Sequence, residues 1–248
     1  MSERSTSASA AATRRTTPRK PAAAAKPAPA TRKSTRAAGV RSPAATVRRM
    51  RQIEDKRSAI LTAAIGLFSR FGLHGTTVDQ VAARADVSKS NLLYYFANKE
   101  ALYVAVLRDL LQVWLEPLRS FSAEQDPREA LTEYIRRKLV ISRDRPDASR
   151  LFCLEMIQGA PLLRDELGRE LRDLVEQKSA VVRAWIEAGR LAPVAPHHLI
   201  FTLWATTQHY ADFGHQIQTL NGGKPLSDRQ WQAAKANVKE MVLRGIGA

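Results

Sequence analysis

From Arg51 onward, apolar residues return every three or four positions, the period of helices that bury one face. Ile60, Ala64, Leu67, Phe68 and Phe71 share one side of a predicted first helix over 51–71, which Gly72 stops. Val78, Val81, Ala82 and Ala85 form a narrow stripe on a second helix, whose start is set by the capping-box spacing of Thr77 and Gln80. Asp86 and Val87 make a turn. Ser88 then caps a short third helix in which Leu92 and Phe96 face inward, leaving Lys89, Ser90, Asn91, Tyr94 and Tyr95 outward. Asn98 caps a fourth, with Leu102, Val106 and Leu110 inside, that runs to Trp114 and ends at Pro117.

The same period continues to the end of the chain. Ala130, Leu131, Tyr134, Ile135, Lys138 and Leu139 mark a helix that ends before Pro146, followed by a short apolar helix over 147–158 and a long one over 162–188. Residues 197–217 form the next, and Ser227 with Gln230 repeats the capping box ahead of a last helix reaching Gly245. No segment alternates in steps of two with β-branched enrichment, so the fold is expected to be all-α, with nine helices. The last two helices are apolar on more than one face, which suits a four-helix bundle shared by two subunits of a homodimer.

Charge alters the picture only at the start. Residues 1–50 carry 12 of the 39 Lys and Arg but one of the 24 acids, so most of the formal net charge of +15 sits there and the rest is nearly balanced. Rich in Ala, Pro, Arg, Lys, Ser and Thr, without aromatics or an apolar face, they read as a disordered basic tail. Such a tail either gathers phosphate contacts without adding sequence information or is a dispensable extension, with translation starting as late as Met50. Its Arg, Ser and Ala content imitates a transit peptide, but its proline density argues against one. With neither a signal-peptide core nor an apolar run long enough for a membrane span, a cytoplasmic protein is expected. Cys153 is the single cysteine, which excludes an intramolecular disulfide and a cysteine-rich zinc site.

The second and third helices with their tight turn make a helix-turn-helix, in which the third would lie in the major groove of duplex DNA. That pattern alone is weak. The run Y-Y-F-A-N-K-E-A-L at 94–102, the Thr76-Thr77 pair and the long amphipathic helix before them resemble the TetR family of one-component bacterial repressors. Beyond the disordered tail that composition gives over 1–50, the resemblance implies a DNA-binding domain over 51–98 and a ligand-binding and dimerisation domain over 99–248. It also implies a palindromic operator read by a homodimer. Thr76 and Thr77 would then meet phosphate at a helix N-terminus, and Lys99 would match the family's phosphate-contacting lysine. Lys89, Ser90 and Asn91 are the base-edge candidates, since Lys suits guanine O6 and N7 and Asn suits adenine. Tyr94 and Tyr95 are placed for backbone or thymine-methyl contact, unless either simply packs between helices. Leu93 departs from the family, where Tyr is frequent, and suggests an apolar touch instead.

Across residues 53–246, stretches such as S-R-L-F-C-L-E-M and W-A-T-T-Q-H-Y-A-D-F also resemble pyrimidine-responsive members of that family. This implies a regulator, mainly a repressor, of pyrimidine use that uracil, or thymine, releases from DNA. Trp204 and Gln208, four apart on one helix face, are candidate ligand residues: an indole lies against a flat ring, and an amide offers the acceptor and donor that an imide needs. Phe152, Glu155 and Gln158 on the short apolar helix could complete the pocket, or Trp204 could be plain core and Gln208 a dimer contact. His209, Asp212 and His215 have helical spacing but no metal-site signature, so neither metal nor cofactor is expected. Two alternatives remain: a TetR-type repressor for another small molecule, and a tail-driven architectural DNA-binding protein. An enzyme is not indicated, because no phosphate loop or nucleophile elbow is present.

Overall fold

A computed structural model describes residues 43–162 and 164–247, which contain ten α-helices and no strand. Four lie at the N-terminal end: α1 (Pro43–Gly75), α2 (Val78–Arg84), α3 (Lys89–Tyr95) and α4 (Lys99–Arg119). The others are α5 (Pro127–Asp144), α6 (Pro146–Ile157), α7 (Arg164–Glu187), α8 (Pro196–Asp212), α9 (Gly214–Leu220) and α10 (Asp228–Gly245). The expected disordered tail lies outside the described residues as far as Ser42. Over 43–50 the chain is helical instead, because Pro43 pre-sets the first turn and the alanines, arginines and Met50 that follow favour a helix without needing burial.

Local chemistry places the starts of the short helices. Thr77 accepts from the Gln80 amide while the Gln80 side chain returns to the Thr77 N–H, and Ser227 and Gln230 do the same at α10. Ser88 and Asn98 cap α3 and α4 through the amides of Asn91 and Ala101. Gly72 breaks α1 with φ 67 and ψ −178, a backbone open essentially to glycine alone. Phe71, just before that break, is 56% exposed rather than on the inner face, because the packed stripe of α1 ends with Phe68. α4 passes through Pro117 and ends at Arg119, since a proline in the last turn loses one hydrogen bond while Pro117 and Leu118 gain burial. The expected helix over 197–217 is two helices, parted where Phe213 leaves helical geometry (φ −107, ψ 27) ahead of Gly214.

α1 packs on α2, α4 and α6, and α2 packs on α3, around Ile60, Phe68, Val81, Leu92 and Phe96. α4 continues from this cluster into a second layer of α5, α6, α7 and α8, with α10 against α5. There Leu110, Leu131, Ile135, Trp185 and Leu203 are buried. α4 and α6 therefore touch both the helix-turn-helix cluster and the helices that enclose a cavity.

Candidate functional site

α2, the Asp86 turn and α3 form a small, rigid head. Asp86 takes a left-handed φ of 53, a conformation Asp tolerates better than most side chains, so the chain reverses within two residues. Leu92 (0% exposed) anchors α3 from beneath, and its burial contributes roughly 2 kcal/mol. The opposite face is bare. Lys89, Ser90 and Leu93 are exposed, Tyr94 is 76% exposed, and Asn91 and Tyr95 are half-buried. The Tyr94 and Tyr95 rings meet edge to face at 5.3 Å, which holds both at the end of this surface. Lys99 is half-buried in the first turn of α4.

One polar group differs from its expected role, and another is already engaged. Thr76 is fully buried and its hydroxyl donates to the Gly72 carbonyl at 2.9 Å, so it ties the α1 break to the start of α2 and cannot reach a phosphate. Thr77 is exposed, with its oxygen engaged as cap acceptor and its hydroxyl proton free to donate. The Lys89 ammonium is already paired with Asp79 at 2.9 Å on an exposed surface. Such a pair is worth little to stability, at most about 1 kcal/mol, but it places an acid beside the groups aimed at a polyanion. Asp79→Asn is expected to tighten binding to every duplex several-fold and to steepen the salt dependence, as read by fluorescence anisotropy at two salt concentrations. An unchanged slope would show that Asp79 lies outside the field of the phosphates.

The second site is a cavity of about 440 Å³ enclosed by α4, α5, α6, α7 and α8. Phe152, Trp204 and Gln208 line it together. Glu155 and Gln158 do not. Glu155 points away from the cavity, is 2% exposed, and accepts a hydrogen bond from the Tyr103 hydroxyl at 2.9 Å. Gln158 is exposed at the C-terminal end of α6, where the helix face has turned past the cavity.

The cavity's charge comes from two side chains not expected there. Lys138 of α5 is 1% exposed, and its Nζ lies 3.8 Å from the centroid of the Trp114 ring while donating no hydrogen bond to any described residue. Burial lowers its pKa to about 7, against a smaller opposing pull from Asp212. Asp212 of α8 accepts from the Ser149 hydroxyl and the Cys153 thiol, and burial raises its pKa despite those bonds and the nearby Lys138 and His209. Burial likewise raises the Cys153 thiol, with the Asp212 charge adding to it. The signal for Lys138 was in the sequence: a lysine between Ile135 and Leu139 on an otherwise apolar stripe. Nothing in the sequence pairs it with Asp212, which lies on another helix.

The lining therefore offers hydrogen-bond donors, acceptors and flat apolar faces around one space. Lys138 offers a cationic donor, Asp212 a carboxyl acceptor, Gln208 both functions, and Trp204, Trp114 and Phe152 apolar faces.

Comparison with known proteins matches both regions. The family model for bacterial regulatory proteins of the tetR family covers residues 60–106, and the model for the C-terminal region of YcdC-like proteins covers residues 107–248. The HTH-type transcriptional regulator RutR of Escherichia coli K12 is 50% identical over 201 residues, 81% of this chain and 95% of the relative. Among solved structures, a TetR family transcription regulator from Marinobacter aquaeolei superposes with a TM-score of 0.59 at 22% identity, over 77% of this chain and 97% of that one. A TetR family regulator from Pseudomonas syringae gives 0.53 at 25% identity, over 77% and 96%.

Proposed function

Because the chain belongs to the TetR family of DNA-binding transcriptional regulators, we propose that it is a repressor of pyrimidine-utilisation genes that uracil releases from a palindromic operator. The observation that carries the effector reading is Lys138, a buried ammonium without a hydrogen-bond partner among the described residues, facing a cavity lined by Gln208, Asp212 and Trp204. A buried charge is costly unless something pairs with it, and a ligand carbonyl is the missing partner. Uracil supplies two carbonyls and two ring N–H groups. One carbonyl accepts a hydrogen bond from the Lys138 ammonium, the Gln208 amide spans an N–H and its neighbouring carbonyl, and Asp212 accepts from the other N–H. Cytosine places an amino donor where uracil has a carbonyl, so it leaves either Lys138 or Gln208 opposed. The resemblance to pyrimidine-responsive regulators in both halves of the chain supports the same reading.

On the DNA side, α3 presents Lys89, Ser90 and Asn91 to base edges, with Tyr94 and Tyr95 at the flank and Thr77 and Lys99 on phosphate. Two copies joined through α8 and α10 set the half-site spacing. Phe201 is 48% and Met241 67% exposed on these helices, and a shallow apolar hollow lies between them. Effector and operator then oppose each other through a coupling free energy that acts in both directions. α4 and α6, which pack on α1 and also line the cavity, carry it.

Calorimetry tests the effector: uracil is expected to bind, thymine to bind with room for its methyl group, and cytosine to fail. Gln208→Ala should weaken uracil about 10-fold, the loss of one or two buried hydrogen bonds. Unchanged affinity removes Gln208 from the site. The cavity's about 440 Å³ is more room than one six-membered ring needs, which favours, as a second reading, the same regulator with a larger effector. A larger planar imide that outcompetes uracil would establish it. For the head, Lys99→Ala should weaken binding to all sequences and flatten the salt dependence, whereas Asn91→Ala should change base preference. Equal loss on every sequence for both variants contradicts the assignment.

A further inference from the structure

α1 starts at Pro43, yet the first buried among its described side chains is Ile60. Before Ile60, only Ile53 and Arg57 are even half-buried among the described side chains, and Val47 and Met50 stand 65% and 66% exposed. A helix of that length without tertiary packing is marginal in water, so its order calls for a partner. Its composition says which. Arg48, Arg49 and Arg51 crowd about one turn without an acid among them, and they form no ion pair with described residues. The first acid, Glu54, is turned back to Arg57 at 3.9 Å.

Position matters as much as charge. The Arg57 guanidinium lies 5.8 Å from the centroid of Phe96, the residue that ends α3, while further along α1 Phe68 meets Tyr103 of α4. Following α1 backwards from Arg57 therefore leads away from its Phe68 contact with α4 and out past Phe96 at the end of α3. At about 1.5 Å per residue, Arg48 lies roughly 14 Å beyond Arg57. The family match begins at residue 60, so this extension precedes the matched module.

We propose that the N-terminal part of α1 is a second DNA-contacting element, a basic helix that grips the phosphates flanking the half-site read by α3. This rests on α3 being the reading helix, and it adds affinity without sequence information. The extension discriminates duplex from duplex only through backbone geometry, and its contribution is removed by salt.

The test uses the full chain and a duplex of about 40 base pairs recovered by in-vitro selection with it, without effector. Each phosphate contact contributes close to one unit to the slope of log K against log salt. Arg48→Ala, Arg49→Ala and Arg51→Ala combined should therefore make the slope of the dimer shallower by about 5. In a hydroxyl-radical footprint, protection outside the two half-sites should vanish while protection within them stays. Met50→Pro keeps all three charges but breaks the helix, and should lose the flanking protection too. A slope within one unit of wild type for the triple variant, or wild-type flanking protection in Met50→Pro, overturns the proposal. Loss of the central footprint in wild type would instead sink the assignment of α3, which the flanking signal does not report.

Discussion

Lys138→Met is expected to abolish most of the response to uracil while making the protein no less stable. Met fills nearly the same space on α5, and removing a desolvated amine that no described residue hydrogen-bonds takes away a cost rather than a contact. The lost charged hydrogen bond to the ligand is worth about 1.5–3 kcal/mol, so uracil affinity should fall roughly 10- to 100-fold. DNA binding in the absence of effector should be unchanged, which separates this variant from one that misfolds. Uracil bound as tightly as by wild type would mean that the amine does not touch the ligand.

The same residue sets a pH dependence. Its folded pKa of about 7 lies below the ordinary lysine value of 10.5, so between those limits the unfolded chain holds a proton that the folded chain has released. Stability contributed here is lowest below pH 7 and rises with pH across that window, by about 2 kcal/mol between pH 7 and 9. The urea midpoint of wild type should rise over that interval relative to Lys138→Met. Parallel pH profiles for the two would show that Lys138 titrates normally. Ligand binding restores the proton, so uracil should bind with proton uptake near neutral pH, visible as a calorimetric heat that depends on the buffer.

Tyr103→Phe is expected to carry a large stability loss for a single-atom change. The hydroxyl it removes is the partner of Glu155, and both residues are buried, at 4% and 2% exposure. Burial and then the Glu155 hydrogen bond and charge push the Tyr103 pKa well upward, so the phenol stays protonated and donating. Without it, Glu155 keeps one long contact, the Leu162 amide at 3.4 Å, for a carboxylate inside an apolar core. The cost should be about 3 kcal/mol, against about 1 for Glu155→Gln, which still accepts the bond. Adding Glu155→Leu to Tyr103→Phe should recover much of the loss, because no unpaired charge is then left behind. A Tyr103→Phe variant with an unchanged urea midpoint would show that water or movement satisfies Glu155.

This bond also lies on the route between the two sites. α6 faces the cavity with Phe152 and Met156 and faces α4 with Glu155, while the Tyr103 ring stands edge-on against Phe68 of α1 at 4.9 Å. Tyr103→Phe should therefore leave uracil affinity intact in calorimetry and reduce the factor by which uracil weakens DNA binding. A preserved factor would move the coupling to the direct α4 contact with the cavity.

Legibility along the chain follows the range of the forces involved. The head could be read almost residue by residue, since caps, a left-handed turn and a stripe of period 3.6 all act within a few positions; Thr77, Ser88 and Asn98 do what their spacing implies. Thr76 was misplaced because nothing local distinguishes a hydroxyl that meets solvent from one folded back onto Gly72. The start of α1 was set too late because a run of alanine and arginine carries helix propensity without an apolar period.

The cavity was legible only where one helix supplied it. Trp204 and Gln208, a turn apart on α8, are a local pattern, whereas Glu155 and Gln158 share α6 with Phe152 yet face elsewhere by a fraction of a turn. The sequence by itself determined the all-α class, the reading head and the family, because periodicity, capping and short motifs are properties of neighbouring residues. Which charges face the cavity was decided only by tertiary structure. Lys138 and Asp212 lie far apart in the chain, and only the packing of α5 against α8 buries the first, half-buries the second and sets them around one space.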